Sequence, residues 1–488
     1  MISRRDLLQW VGVGGVGLMA GAARNASAQP MSHDMSSMAG MEGMAGTSMP
    51  RASASPSLAA TKAKRHPQGY LPVRTLNGWT LPYKMNGGVK EFHLVAEEIE
   101  HEFAPGSRAK CWGYNGTTPG PTLEAVEGDR VRIFVTNRLG EPTSVHWHGI
   151  DLPAGYDGVA GLNQPAIGPN ETFVYEFTLK QHGTHMYHPH ADEMTQMAFG
   201  MMGLFIIHPK AGEEVAVDRD YAFLLHNWAL HPGTYRPDPA IMQDFSLWSF
   251  NSKVFPAIDP LVMRTGERMR IRIGNLSMWN HPIHLHSNPF WVTGSDAGRW
   301  PRGQWRREVT EIVGVGQMRD IEFVATEPGD WALHCHMAHH TMGPMGHALP
   351  NPVGVDQSGV EAEIRKMLPG YGAMGRNGMT EHGGHVAMGL KGPENTLPMM
   401  SGEGPFGPIE MGGMFTVVKV RDDQRANDFT DPGWYRYPKD KIARRVSQSP
   451  DFGQPTRRNP YGASAQKQPA APEIMPDMPG MDHSSHGG

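Results

Sequence analysis

Hydrophobic and polar residues alternate in short runs along the chain from about residue 88 onward. Such runs occupy residues 91–95, 122–126, 130–135 and 173–177, and clusters of Gly, Pro and Asn, as in 115–121, separate them. Because successive side chains of a strand point to opposite faces, these runs predict half-buried β-strands joined by turns. An apolar run at 203–209 closes the set, so the first half is predicted to be a β-sandwich.

The second half repeats this rhythm with predicted strands at 220–225, 268–273, 319–324 and, last, 413–420. A Gly-containing turn precedes a strand that ends at Asn137 in the first half and at Asn275 in the second. Repetition of one unit indicates related domains. The predicted fold class is therefore all-β, with two tandem Greek-key sandwiches.

The first residues have the pattern of an export signal. Ser3-Arg4-Arg5 precedes a mildly apolar run at 10–23 and the small residues Ala26-Ser27-Ala28. This pattern predicts a twin-arginine signal peptide over 1–28 and a periplasmic or secreted protein. An ordinary secretory signal or a retained anchor is the alternative. No later stretch is long and apolar enough to predict a membrane span.

Composition indicates the rest of the organisation. Residues 29–65 are rich in Met, Ser, Ala and Gly and are predicted to be disordered. The first domain is predicted at 66–212, the second at 213–422 with a Met/Gly/Pro-rich insertion at 350–410, and an extended tail at 423–488. Thioether sulfur is a soft ligand that suits Cu(I), so the Met-rich segments are candidates for copper capture. Solvated linkers are an equal alternative.

Overall charge and cysteine content narrow the chemistry. The net charge is -5 over 488 residues, which offers no basic field for nucleic acid. Cys111 and Cys335 are the two cysteines against 25 histidines, so metal chemistry would rest mainly on imidazole. Cys111 is predicted to be a small buried side chain.

Histidines cluster in four His-x-His pairs, two in each predicted domain. On a strand, residues i and i+2 share a face, so each pair can present two imidazoles side by side. Eight imidazoles shared by three copper ions would leave coordination positions open for dioxygen. The pairs are His146-Trp147-His148, His188-Pro189-His190, His284-Leu285-His286 and His334-Cys335-His336.

The last two motifs carry additional candidate ligands. Cys335 is followed by His340 and Met345, and His281 lies three residues before His284. One thiolate, two imidazoles and a weak thioether form the trigonal ligand set of a blue, electron-transferring copper. His339 and Met342 are the rivals of His340 and Met345. Cys335 also lies between two candidate cluster ligands, which provides a covalent path for electrons.

Together the four motifs resemble those of the multicopper oxidases, the family of laccases, ascorbate oxidase and cuprous oxidases, over about residues 90–420. The resemblance implies cupredoxin-like domains and four coppers per functional unit: one type 1, one type 2 and a type 3 pair. It further implies an enzyme that couples oxidation of phenols or Cu(I) to reduction of dioxygen to water, and it is compatible with a role in copper tolerance.

The spacing of the motifs indicates the two-domain type of this family. About 90 residues separate His190 from His281, too few for a third sandwich. Pro189 stands in the first domain where Cys335 stands in the second, so only the second domain is predicted to hold a blue copper. The resemblance implies a homotrimer whose cluster lies between the first domain of one subunit and the second domain of its neighbour.

Asp157 comes after the first pair at the place where the family has an acidic residue that assists proton delivery. Cys335 and Asp157 are therefore the candidate catalytic residues, although Asp157 could equally be a turn residue before Gly158. A copper nitrite reductase and a non-catalytic copper store remain alternatives. Other histidines are predicted to be rivals beside the ligands (His182, His185, His347) or surface and hydrogen-bonded side chains (His93, His101, His208, His226, His231).

Overall fold

A computed structural model describes residues 65–231, 233–243, 245–341, 366, 395, 402–409 and 411–447. Within these ranges the chain forms 24 β-strands and one α-helix, Glu193–Ala198. None of the helices in these ranges has the length and apolar character of a membrane span. The predicted signal peptide, the Met-rich segment to residue 64, most of the insertion and the tail beyond 447 lie outside the described residues.

The first sandwich consists of a five-stranded and a four-stranded sheet. The strands of the former are β2 (Lys84–Asn86), β3 (Val89–Ala104), β4 (Ser107–Tyr114), β6 (Arg130–Asn137) and β8 (Thr172–Thr178). Those of the latter are β5 (Leu123–Val126), β7 (His146–His148), β9 (Gly183–His188) and β10 (Gly203–His208), in the order β5-β10-β9-β7. The alternating pattern of β6 determines which of its side chains enter the core: Val131, Ile133 and Val135 are fully buried, while the residues between them are not.

The second sandwich has the same plan. One sheet has the order β1-β11-β14-β20-β16-β17 with β12 beside β11 and β18 beside β16; the other has the order β13-β24-β21-β15-β19. The bounds are β1 Arg74–Thr75, β11 Arg219–Trp228, β12 Leu247–Phe250, β13 Leu261–Arg264, β14 Arg268–Asn275, β15 His281–Leu285, β16 Phe290–Ser295, β17 Gly298–Arg299, β18 Arg306–Glu308, β19 Thr310–Val313, β20 Met318–Val324, β21 Gly329–Cys335 and β24 Phe415–Arg421. A small hairpin, β22 (Glu403–Gly404) and β23 (Gly407–Pro408), lies within the predicted insertion. The prediction of two tandem all-β sandwiches is confirmed.

The internal repeat extends to individual hydrogen bonds. Asn137 ends β6, and its Nδ2 donates to the carbonyls of Glu141 and Ile167 while its Oδ1 accepts from Leu139 N. Asn275 ends β14 and makes the corresponding bonds at similar sequence offsets, donating to the carbonyls of Trp279 and Val313 and accepting from Ser277 N. Each Asn therefore fixes the loop that leads from the strand to the next histidine motif.

Segments near both ends of the described chain pack on the second sandwich. β1 pairs in parallel with β11, although residue 66 onward was predicted to belong to the first domain. At the other end, the buried Arg219 donates to the carbonyl oxygens of Asp428 (2.6 Å) and Arg425 (2.8 Å). Residues 425–428 of the predicted tail are thus anchored to the sheet. The domain limits themselves stay a prediction.

A buried polar network joins the two sandwiches. Thr184 of β9 donates to Asp320 of β20 (2.7 Å) and accepts from Arg272 of β14 (3.0 Å). Arg272 and Arg270 also donate to the buried Asp220 of β11. Buried charges are costly unless every one is paired, so this network favours one relative placement of β9 and β14.

Candidate metal centres

Three donor atoms converge in the interior of the second sandwich. Cys335 Sγ lies 3.6 Å from His281 Nδ1 and 3.3 Å from His340 Nδ1, and the two nitrogens are 3.1 Å apart. His281 begins β15 and Cys335 ends the neighbouring β21, while His340 lies on the short 3-10 helix Ala338–Thr341. All three side chains are buried. The structure therefore brings together three of the four residues predicted to bind a blue copper; Met345 lies outside the described residues.

Burial sets the protonation of these groups. It lowers the pKa of His281 to about 3 and that of His340 to about 2, with neighbouring histidines adding to the effect. Burial also raises the pKa of the Cys335 thiol to about 12. At neutral pH both imidazoles are uncharged and can present a lone pair, whereas the thiol must release its proton when a metal binds.

The triangle of donors fits a metal ion in size and chemistry. A point equidistant from the three atoms lies about 2 Å from each, which is the length of a metal–nitrogen bond. One thiolate and two imidazoles suit copper. The other ring nitrogen of His281, Nε2, faces Ser277 Oγ at 2.7 Å, and Ser277 Oγ also contacts Asn275 Oδ1 and the carbonyl of Trp279. This polar support directs Nδ1 of His281 towards Cys335.

A second group of histidines lies at the edge of the first sandwich. His146 of β7 faces His188 of β9 across the ladder, and the ligand atoms of His146, His148 and His188 lie within 4.8 Å of one another. His148 Nδ1 is 3.2 Å from His188 Nε2. The ring of His190 lies 5.6 Å from that of His146. We call His146, His148, His188 and His190 the first half-site.

The second sandwich carries an equivalent group, which we call the second half-site: His284, His286, His334 and His336. His284 of β15 faces His334 of β21 across the ladder, as His146 faces His188. His286 Nε2 lies 3.1 Å from His334 Nε2, and the His336 ring is 5.3 Å from that of His284. Each half-site therefore offers four imidazoles at one edge of its sandwich.

Backbone carbonyls orient two histidine rings in each half-site, and the histidines concerned occupy equivalent positions. Nδ1 of His188 contacts the carbonyl of Pro189 (3.0 Å), and Nδ1 of His334 contacts that of Cys335 (2.8 Å). Likewise, His146 Nδ1 contacts the carbonyl of Asp157 and His284 Nδ1 that of Val309, each at 2.7 Å. A neutral imidazole that donates through Nδ1 keeps Nε2 as an acceptor, which is the form that binds a metal.

The expectation that each pair lies on one strand is met only by His146 and His148. β9 ends at His188, β15 at Leu285 and β21 at Cys335, so His190, His286 and His336 lie beyond their strand ends. Leaving the strand lets the second histidine of a pair turn towards the first. The two rings contact each other in all three of these pairs, although the second histidine lies outside the strand.

The two half-sites do not meet within one chain. Among the described residues, no ring contact joins a histidine of one half-site to a histidine of the other. The His148 ring instead lies beside Gly316, in the turn after β19, while His284 pairs with Thr310 at the opposite end of that strand. The length of β19 therefore separates these two positions, and at about 3.3 Å per residue its four residues span roughly 10 Å.

Asp157 lies beside the first half-site. Its carboxylate Oδ1 is 3.4 Å from His146 Nδ1, in addition to the contact of its carbonyl. Gly158 has φ +89°, and a Cβ there would overlap the carbonyl oxygen of Val145, so only glycine lets the Asp157 turn approach β7 this closely. The sequence reasoning missed Glu193, whose carboxylate lies 3.5 Å from His188 and 3.6 Å from His190. Its position three residues after His190, at the start of a helix, was the available signal.

The remaining histidines occupy several different environments. His182 contacts Glu127, and His185 is fully buried. His208 and His226 are buried and hydrogen-bonded to Glu124 and the carbonyl of Leu276, and the half-buried His101 is hydrogen-bonded to the carbonyl of Ser252. His339 is exposed, and its ring lies 5.7 Å from that of Trp248 and 5.8 Å from that of Trp279, whereas Cys335 Sγ faces His340. His347 and Met342 lie outside the described residues. Cys111 is a buried free thiol, as predicted.

Comparison with known proteins supports the family assignment. Two family profiles, both described as multicopper oxidase, match residues 96–212 and 233–354. The chain is 45% identical over 123 residues to copper resistance protein A of Escherichia coli, a match that covers 25% of this chain and 20% of that protein. It is 25% identical over 292 residues, 57% of this chain and 32% of the relative, to a Kuenenia stuttgartiensis protein named "Probable nitrite reductase-hydroxylamine oxidoreductase fusion protein".

A solved structure has the same fold. The blue copper oxidase of Nitrosomonas europaea superposes with a TM-score of 0.50 at 24% identity, covering 68% of this chain and 85% of that one. The matches to copper resistance proteins span less than a quarter of the length of those relatives. The tandem sandwiches, the convergent Cys and His donors and the matching profiles lead to one conclusion: this chain belongs to the multicopper oxidase family.

Proposed function

We propose that this protein is a copper-dependent oxidase that removes single electrons from a reductant and passes four of them, with four protons, to dioxygen to form two waters. The convergence of Cys335 Sγ with the Nδ1 atoms of His281 and His340 carries the proposal. This donor set suits a blue, electron-transferring copper. The two half-sites, each with four imidazoles at one edge of a sandwich, suit the site at which dioxygen is reduced.

The residues divide between two tasks. His281, Cys335, His340 and, outside the described residues, Met345 would hold a type 1 copper; the eight histidines of the half-sites would hold one type 2 and two type 3 coppers. Bound copper supplies the one-electron redox chemistry that the protein side chains lack. Cys335 is peptide-bonded to His334 and His336, so its Sγ is connected to both imidazoles by a short covalent path.

We further propose a homotrimer in which the first half-site of one subunit meets the second half-site of its neighbour. Support comes from the separation of the half-sites within one chain and from their matching donor patterns. Exposed apolar side chains flank both: Leu162 (78% exposed) lies shortly after Asp157 near the first, and Val309 and Ile312 border the second. Water-exposed apolar groups of this kind favour burial in an interface.

Asp157 is proposed to assist proton delivery to dioxygen. Its carboxylate is about one-third exposed and contacts His146, so it borders both solvent and the first half-site. A carboxylate in that position can take a proton from water and return it near the reaction.

The reductant class is proposed to be phenols or Cu(I). One relative is named copper resistance protein A, and the Met-rich segments provide soft sulfur ligands, which favours Cu(I) and a role in copper tolerance. The twin-arginine pattern supports export to the periplasm or secretion.

A copper nitrite reductase is the second candidate, favoured by the match to the Kuenenia stuttgartiensis fusion protein. The motifs argue against it. Such an enzyme has its blue copper in the first of two domains, where this chain has Pro189, and it needs fewer than eight cluster histidines.

The decisive experiment compares the copper-loaded full chain with two serine variants. We expect absorption near 600 nm (roughly, as for Cys-ligated copper) and oxygen uptake on adding a phenol or Cu(I). Cys335→Ser should abolish both, whereas the matched control Cys111→Ser should retain them. Nitrite consumption in place of oxygen uptake would favour the reductase, and blue colour without turnover would favour a copper store.

A further inference from the structure

The indole of Trp248 covers one face of the His340 imidazole. The two rings are stacked, with centroids 3.6 Å apart and planes inclined by 21°. Trp248 is 4% exposed, and His340 is fully buried. This is the closest aromatic contact made by any of the three convergent donors, and no sequence motif pointed to it.

The two histidines beside Cys335 are held in different ways. His281 has its Nε2 supported by the hydroxyl of Ser277. Nε2 of His340 is buried and has no hydrogen-bond partner among the described residues. Rotation about the Cβ–Cγ bond of histidine is only weakly restricted on its own. Packing must therefore determine the ring orientation of His340.

Trp248 is itself well fixed. It lies on β12, where it pairs with Asn227 of β11. The edges of its indole contact Phe245 (5.6 Å), Trp279 (6.1 Å) and the second donor ring, His281 (5.9 Å). A side chain held on several sides can act as a rigid surface for the ring stacked on it.

We propose that Trp248 is a positioning residue that holds the His340 ring with Nδ1 directed at Cys335 and His281. The stack orients the His340 ring as the hydrogen bond from Nε2 to Ser277 Oγ orients the His281 ring. The inference rests on the proposed function, because it concerns the ligand geometry of the copper site proposed there.

The test replaces Trp248 and monitors the blue site by spectroscopy. In Trp248→Leu, the His340 ring loses its support, so we expect a weaker, broader blue band and a heterogeneous EPR signal. Loss of the blue band to excess EDTA should become about two- to tenfold faster, the range expected for one aromatic pair. Trp248→Phe keeps a ring face and should release copper within about twofold of the unmodified protein.

Phe250→Leu is the matched control. Phe250 is a buried aromatic residue of the same strand, and its ring contact is with Phe223, not with His340. The Phe250→Leu substitution should lower resistance to denaturant while leaving the blue band and the rate of copper release unchanged. If Trp248→Leu does not fold, Trp248→Met takes its place, because its longer, more flexible side chain can adapt to the space left by the indole without offering a ring face.

The outcomes separate the two proposals. An unmodified protein that binds copper without blue colour contradicts the proposed function itself. A blue unmodified protein whose Trp248→Leu variant matches Phe250→Leu in spectrum and release rate overturns the positioning role alone.

Discussion

Burial lowers the pKa values of several histidines of this protein. The pKa falls to about 4 for His101, His185 and His226, and to about 3 for His188 and His281. The unfolded chain, whose histidines titrate near 6.5, binds more protons than the folded chain below that pH. The contribution of these histidines to the stability of the metal-free protein is therefore fully present above about pH 6.5. It is lost as the pH falls towards their pKa values in the folded state.

His185 offers a direct test of this linkage. It is fully buried, neither ring nitrogen has a hydrogen-bond partner among the described residues, and it is not one of the candidate ligands. In His185→Leu, unfolding by denaturant should depend less on pH between about 5 and 6, by up to about 1.4 kcal/mol per pH unit for one proton. The measurement is the unfolding free energy of the metal-free protein at several pH values.

His93→Gln provides the control, because it replaces an exposed imidazole by another polar side chain and leaves buried packing intact. An unchanged slope in His185→Leu would mean that the unfolded and folded states bind the same number of protons at position 185.

At the scale of elements, the repeated loop after β6 and β14 connects fold to site. Asn137 and Asn275 make equivalent hydrogen bonds at similar offsets. The two loops differ in one contact, because Asn275 Oδ1 also lies 2.7 Å from Ser277 Oγ, which supports His281. The second copy of the element thus couples loop geometry to the proposed type 1 site.

The repeat supplies a matched pair of variants. Asn137→Ala and Asn275→Ala should each lower the unfolding free energy of the metal-free protein by roughly 1–3 kcal/mol, because each leaves buried backbone groups unpaired. Only Asn275→Ala should also weaken copper binding at the blue site, by about tenfold, through loss of support for His281. Copper titration monitored by the blue band distinguishes them; equal affinities in the two variants would contradict the coupling.

At the scale of the whole molecule, the structure bears on assembly. β19 is an edge strand, and Ile312 within it is 59% exposed near the second half-site. Exposed strand edges and apolar side chains are the features that an interface covers.

Ile312→Lys should therefore dissociate the proposed trimer. Placing a charge in the interface disfavours assembly, whereas a surface substitution alters the stability of an isolated chain by only about 0.5 kcal/mol or less. Sedimentation should show monomers that keep the blue band but lose oxygen uptake. Val174→Lys, at an exposed apolar position of β8 in the first sandwich, should remain trimeric and active. An Ile312→Lys trimer, or an active monomer, would contradict this mode of assembly.

The all-β class and the candidate donors could be predicted from the sequence because they depend on local pattern and chemistry. Alternation at 130–135 identifies β6 whatever it pairs with, and a cysteine between two histidines with a third five residues later has few other uses. The same holds for the repeat that ends at Asn137 and Asn275.

Only the tertiary structure decided how those donors are held and where they meet. Trp248 reaches His340 across 92 residues of sequence, β1 joins a sheet of the second sandwich, and the two half-sites lie apart within one chain. Each of these depends on contacts between segments distant in sequence, which periodicity and spacing do not encode. The sequence by itself determined which atoms could bind copper; packing determined their orientation, because ring rotation is set by neighbours and not by the chain that carries the ring.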